Sequence, residues 1–122
     1  MKSLFIICIL QSLIFSIEYN HPEFNWFTIE TENFKIHYHE ETERTAFEAT
    51  TVAETIFDEV TNFYDYKRKE KTHLILIDPD DYSNGAAYYY DNKIIIWASP
   101  LDFELRGSHR WLQNVITHEF VH

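Results

Sequence analysis

The segment His118-Glu119-Phe120-Val121-His122 combines two imidazoles and a carboxylate at a spacing that suits metal chemistry. Residues four apart lie about one turn apart on the same face of a helix, so His118 and His122 can bind one tetrahedral zinc ion. Glu119 is rotated by about 100° from His118, so it can act as a base toward a water without being a ligand. The pattern predicts a catalytic zinc site with His118 and His122 as metal ligands and Glu119 as the catalytic residue.

The composition makes a chance occurrence of this motif rare. In a chain with 7 His among 122 residues, the pattern is expected by chance roughly 0.04 times. Uncharged Val115, Ile116 and Thr117 precede the motif, which favours a buried helix that can bring imidazoles to a dry site. The alternative is that His118 and His122 lie at the edge of a core and bind no metal.

The charge and composition exclude several classes of protein. The chain has 10 Lys+Arg against 20 Asp+Glu, for a net charge of −10. This acidity argues against a nucleic-acid or anionic-membrane surface. With 45% apolar and 17% aromatic residues, the chain is too rich in core-forming residues to be disordered. One packed domain is expected.

The N-terminus has the pattern of a secretory signal. Lys2 precedes an apolar run from Leu4 to Ile17 that is too short to span a membrane as a helix. We expect residues 1–16 to be a signal peptide that is cut after Ser16, which predicts an exported, periplasmic or extracellular protein with no stable membrane span once the signal is removed. The alternative is an N-terminal anchor helix. Cys8 is the only cysteine, so a disulfide within the chain is excluded.

In the first half of the chain, the spacing of apolar residues changes from every second position to every third or fourth position. Apolar residues alternate from Phe24 to Ile29 and from Phe34 to Tyr38, on either side of the polar turn Thr31-Glu32-Asn33. This pattern predicts a β-hairpin. From about Thr42 to Tyr64, apolar residues recur every three or four positions, which predicts a long helix with an apolar stripe.

The second half predicts a further sheet and the helix that carries the motif. His73 to Ile77 is a short apolar run typical of a buried strand, and residues 78–85 are expected to form a loop because they contain Pro, Asn-Gly and clustered Asp. Ala86 to Tyr90 and Lys93 to Ala98 predict a second hairpin, and a helix is expected from about His109 to the end. The predicted class is α+β, with a small mixed or antiparallel sheet, a long crossing helix and a C-terminal helix carrying the motif.

Two segments also resemble a known family. Asn84 to Ile96, followed by Val115 to His122, resembles the edge-strand hairpin and active-site helix of zincin metallopeptidases. The gluzincins are the most similar, especially the peptidase MA-like exported domains that can precede a TolB-like β-propeller. The resemblance covers about Trp26 to His122 and implies a gluzincin domain over residues 17–122 with a zincin-like N-terminal subdomain.

The resemblance implies roles for particular residues. Ala86, Ala87 and Tyr88 would belong to the edge strand along the cleft, which binds an extended peptide or protein substrate by backbone pairing. His118 and His122 would be the zinc ligands, and the parent protein would hydrolyse peptide bonds with Glu119 as general base. A gluzincin takes its third ligand, a Glu, from the next helix. We therefore expect this chain to be an N-terminal fragment of a longer peptidase and to be inactive in isolation.

Several other residues could take part in a site. His37 and His39 share a strand face and could chelate a metal, although an exposed strand face also explains them; His73 and His109 are further candidates. The acidic residues of the 78–85 loop resemble a calcium loop, but its twelfth position is Tyr89, where an EF-hand has Glu. The run from Tyr88 to Tyr90 could stabilise an oxyanion or could simply pack on the hairpin.

A function of another class also fits the sequence. The chain could be a non-catalytic exported module, associated with a TolB-like propeller, that binds protein partners through its sheet edge. A third ligand on a following helix would favour the enzyme.

Overall fold

The first hairpin forms as its alternation predicts. In a computed structural model, which describes residues 23–78, 83–98 and 110–122, β1 (Trp26–Glu30) pairs antiparallel with β2 (Phe34–His39). The turn between them is anchored to the long helix that follows in the chain. The Asn33 backbone N–H and side-chain amide donate to the two carboxylate oxygens of Glu54 on that helix, at 2.9 and 2.7 Å. The predicted signal peptide lies outside the described residues.

A long helix follows β2. The Thr42 hydroxyl donates to the His39 carbonyl and accepts from the His39 N–H, both at 3.1 Å, and α1 (Glu43–Phe63) begins at the next residue. Its buried side chains recur at helical spacing: Ala46, Ala49, Ala53, Ile56, Phe57 and Thr61. The helix is followed by Asp65 in the left-handed region, with φ of 50°. The small alanines let α1 lie close to β2.

The remaining strands complete a mixed sheet. β3 (Thr72–Ile77) pairs parallel with β2 and with β5 (Lys93–Ala98), and β4 (Ser83–Tyr88) pairs antiparallel with β5. The strand order is β1-β2-β3-β5-β4. At the β4–β5 turn, Asn92 has φ of 49°, and its amide donates to the Lys71 carbonyl at 3.0 Å.

The motif helix packs on the same face of the sheet as α1. Helix α2 (Trp111–Val121) contacts α1, β4 and β5. One core joins both helices to the inner face of the sheet, and its largest fully buried aliphatic and aromatic side chains are Phe34, Ile36, Leu74, Leu76, Ile96 and Ile116. The fold is therefore α+β, with two helices over one face of a mixed sheet, as predicted. Neither described α-helix has the length and apolarity needed to cross a bilayer.

One predicted loop is partly a strand. Residues 78–85 were expected to be a loop, but β4 begins at Ser83, and Gly85 pairs with Ile96. Strand propensity is strongly dependent on context, and pairing with the isoleucine-rich β5 overrides the weak propensities of Ser83, Asn84 and Gly85. Residues 79–82, on which the calcium hypothesis for that loop depends, lie outside the described residues. So does His109, the predicted start of the last helix.

Candidate metal centre

The two motif histidines lie at a distance that suits one metal ion. The Nε2 atoms of His118 and His122 are 3.3 Å apart. Two nitrogens bound to a tetrahedral zinc at 2.0–2.1 Å lie about 3.3 Å from each other. The two rings are inclined by 75°, and both side chains are exposed. The residues present therefore fit two of the ligand positions of a zinc ion.

The apolar side of α2 explains why these histidines face outward. Leu112 and Ile116 are buried at the sheet, and the Phe120 ring packs on Phe34 and Phe57, with centroid distances of 5.3 and 5.7 Å. His118 is two residues from both Ile116 and Phe120, which is about 200° around the helix. Burial of the apolar stripe thus directs the imidazoles away from the core.

Glu119 is buried, in contrast to the two exposed histidines. Only 9% of this residue is exposed, and its side chain lies between α2 and β4, against Gly85. A Cβ built on Gly85 would lie 2.7 Å from Glu119 Cγ and 2.9 Å from its Oε1. The carboxylate is therefore held at the edge strand rather than in open solvent.

A cleft connects the predicted base to the predicted substrate strand. It has a volume of about 120 Å³, and Glu119, His122, Ala87 and Tyr88 contribute to its lining together with the end of α1. β4 is the last strand in the described sheet. Ala86 does not contribute to the lining of this cleft.

The tyrosine run beside the cleft is largely exposed. Tyr90 is 98% and Tyr89 62% exposed, so packing on the hairpin does not bury this run. Lys93 Nζ lies 4.9 Å from the Tyr88 ring centroid, and the Arg68 guanidinium lies 4.9 Å from that of Tyr89. Tyr88 and Tyr89 both line the cleft, and Tyr88 is the last residue of the edge strand β4.

The other candidate histidines belong to different surroundings. His37 Nε2 lies 2.8 Å from His73 Nδ1, and His37 Nδ1 lies 2.9 Å from Thr28 Oγ1. Burial, then the positive charges of His73 and Lys35, lower the pKa of His37 below its ordinary value. His39 is only 1% exposed and stacks on Phe24 at 4.4 Å. The expected exposed strand face is therefore wrong for His39.

The described parts of the chain supply two ligands rather than a complete set. Within residues 23–78, 83–98 and 110–122, no group of three or more His, Cys, Asp or Glu side chains is arranged to hold a metal ion. His37 and His73 contact each other instead of joining the His118 and His122 pair.

Sequence reasoning missed Gly85 as a residue of the site. Its Asn-Gly context indicated a turn, whereas the structure places it in β4 beneath α2. The available signal was the rarity of glycine, with 2 in 122 residues, because a glycine within a strand often marks a close approach of another element.

Comparisons of the chain with protein-family models, curated proteins and solved structures gave no match.

Proposed function

We propose that the protein is a zinc-dependent peptidase in which His118 and His122 bind the metal and Glu119 is the general base. The observation that carries this proposal is the 3.3 Å separation of the two Nε2 atoms, which matches two ligands of one tetrahedral zinc. Glu119 is adjacent in sequence but points toward β4, where a substrate would lie. The proposed ligands and the proposed base thus lie within two turns of one helix, and Glu119 and His122 line the same cleft.

Each side chain has a distinct task in this proposal. His118 and His122 would hold the metal through their Nε2 atoms. Zinc in such a site supplies Lewis acidity and lowers the pKa of a water toward 7. Glu119 would accept the proton of the attacking water and return it to the leaving amine. Its burial against Gly85 restricts the rotamers of the carboxylate and limits competition from bulk water.

The edge strand supports a peptide as the substrate. In the described sheet, β4 is an edge strand whose one neighbour is β5, and an edge strand is the element to which an extended chain can add by pairing. Ala87 and Tyr88 line the cleft that also contains Glu119 and His122. A peptide paired with β4 would therefore run past the base and the metal.

A catalytic zinc site uses three protein ligands, whereas the described residues supply two. The third donor would come from outside the described residues. Two imidazoles alone would bind zinc weakly, so the proposal concerns the full-length protein.

The edge position of β4 in the described sheet also favours a second candidate, a non-catalytic exported module that binds protein partners by strand pairing. In this alternative the 3.3 Å separation is a contact between two imidazoles one helical turn apart, with no metal between them.

The experiment that separates the two is peptide hydrolysis by zinc-loaded full-length protein and its Glu119→Gln variant. The amide cannot accept the proton, so turnover should fall by about 10²-fold or more at equal zinc content. The matched control is Glu48→Gln, which makes the same change on the exposed side of α1 and should leave turnover unaltered. Equal hydrolysis by wild type and Glu119→Gln would reject Glu119 as the base, and zinc binding without hydrolysis by wild type would favour the binding module.

A further inference from the structure

Gly85 of the edge strand lies directly against the motif helix. A Cβ at this position would lie 2.6 Å from Val115 Cγ2, 2.7 Å from Glu119 Cγ and 2.9 Å from Glu119 Oε1. Distances this short do not persist between carbon atoms, so any side chain here requires a neighbour to move. The neighbours that would have to move are Val115 and the proposed base Glu119, which lie one turn apart on α2.

The two neighbours differ in how easily they can move. Val115 is half-buried, packs against the core, and as a β-branched residue has one strongly preferred rotamer in a helix. Glu119 has three side-chain torsions and an adjacent cleft. The clash with Glu119 is therefore relieved by rotation of its side chain, which moves the carboxylate away from β4, whereas the clash with Val115 Cγ2 is relieved by a small shift of α2 as a unit.

We propose that Gly85 is a positioning residue for Glu119: the absence of a side chain at Gly85 creates the space in which the Glu119 carboxylate is held. The effect of Gly85 on catalysis rests on the proposed function, whereas its effect on the position of the Glu119 carboxylate does not. Under this proposal β4 has two roles, because it would pair with the substrate and would also orient the base. The positions of substrate and base would then both be determined by β4.

The histidines provide an internal control for this inference. His118 and His122 lie on the exposed side of α2, and their separation depends on the helix itself. A side chain at Gly85 should displace the base while leaving zinc binding unchanged. A purely structural role for Gly85 would instead weaken folding, zinc binding and turnover together.

The first test is independent of activity. In metal-free protein, NMR should show a nuclear Overhauser contact between the Gly85 α-protons and the Glu119 γ-protons. In Gly85→Ala, the α-proton contact should disappear and the Glu119 carboxyl ¹³C resonance should move to the position of an exposed glutamate. An unchanged Glu119 resonance in the folded variant would overturn the proposal. If Gly85→Ala does not fold, the same comparison is made between Gly85→Ala/Val115→Ala, which removes the nearest methyl group, and Val115→Ala alone.

The second test uses zinc-loaded full-length protein. Gly85→Ala should lower kcat by on the order of 10²-fold with KM and zinc affinity within about twofold of wild type. In a Glu119→Gln background the same change should cost less than about twofold, because Gly85 acts through Glu119. The control Ile36→Val weakens the core on β2, away from the cleft, and should leave kcat unaltered.

The outcomes separate the two proposals. A kcat loss of the same size with and without the Glu119 carboxylate would show that Gly85 does not act through the base. Retained hydrolysis in Glu119→Gln would reject the proposed function, and the NMR comparison would then still decide whether Gly85 positions the carboxylate.

Discussion

Replacing Ile116 with Ala tests whether α2 is held on the sheet by its apolar stripe. Ile116 is fully buried, with 0% exposure, and belongs to the core that joins both helices to the strands. The substitution removes three carbon atoms, which lose about 2.4 kcal/mol of transfer free energy at ~0.8 kcal/mol per carbon. Since the helix cannot fully collapse into the space, a cavity adds to this cost, and we expect a loss of about 3 kcal/mol in the free energy of unfolding.

The assay is urea unfolding in the presence of a chelator, so that zinc does not contribute. Trp111 lies half-buried on α2, and its fluorescence reports the docking of that helix. The control is Val121→Ala on the same helix, where the valine is 42% exposed and the expected change is within about 0.5 kcal/mol. Equal costs for Ile116→Ala and Val121→Ala would show that α2 is not docked by Ile116. Burial of Ile116 would then no longer explain why His118 and His122 face away from the core.

Two further predictions concern His37 and the edge strand. Because the pKa of His37 is below its ordinary value of 6.5, the unfolded chain binds more protons below that pH, and stability should fall as the pH drops from about 7 to 5. His37→Gln should reduce this slope in chelator-containing unfolding experiments, and a steeper slope in the variant would contradict the assignment. Ala87→Pro removes a backbone donor from β4 and should raise KM for peptides more than it raises the Kd for zinc. Equal changes in KM and Kd would place the substrate elsewhere.

The regular elements follow closely from local patterns. The alternation on either side of Thr31-Glu32-Asn33 predicts the first hairpin, and the three- and four-residue steps predict α1, because each pattern depends only on which side chains must share a face. The motif spacing likewise predicts that His118 and His122 lie side by side, since a single helix determines that distance.

The relations that sequence reasoning missed depend on contacts between distant elements. His37 and His73 are neighbours because β2 and β3 pair in parallel, with Lys35 opposite His73, and this register cannot be read from either strand alone. Gly85 had the local appearance of a turn residue, but its importance comes from α2 lying across β4. The burial of His39 likewise depends on Phe24, which precedes β1.

The most direct test of the zinc site is a titration followed by the imidazole ¹⁵N resonances of the protein. If His118 and His122 bind one ion, their Nε2 resonances should shift together and reach a common end-point at one zinc per chain, while those of His37 and His73 stay in place. The match of the 3.3 Å Nε2 separation to tetrahedral zinc leads to this expectation. Independent midpoints for His118 and His122, or a response confined to His37 and His73, would contradict the proposed metal centre.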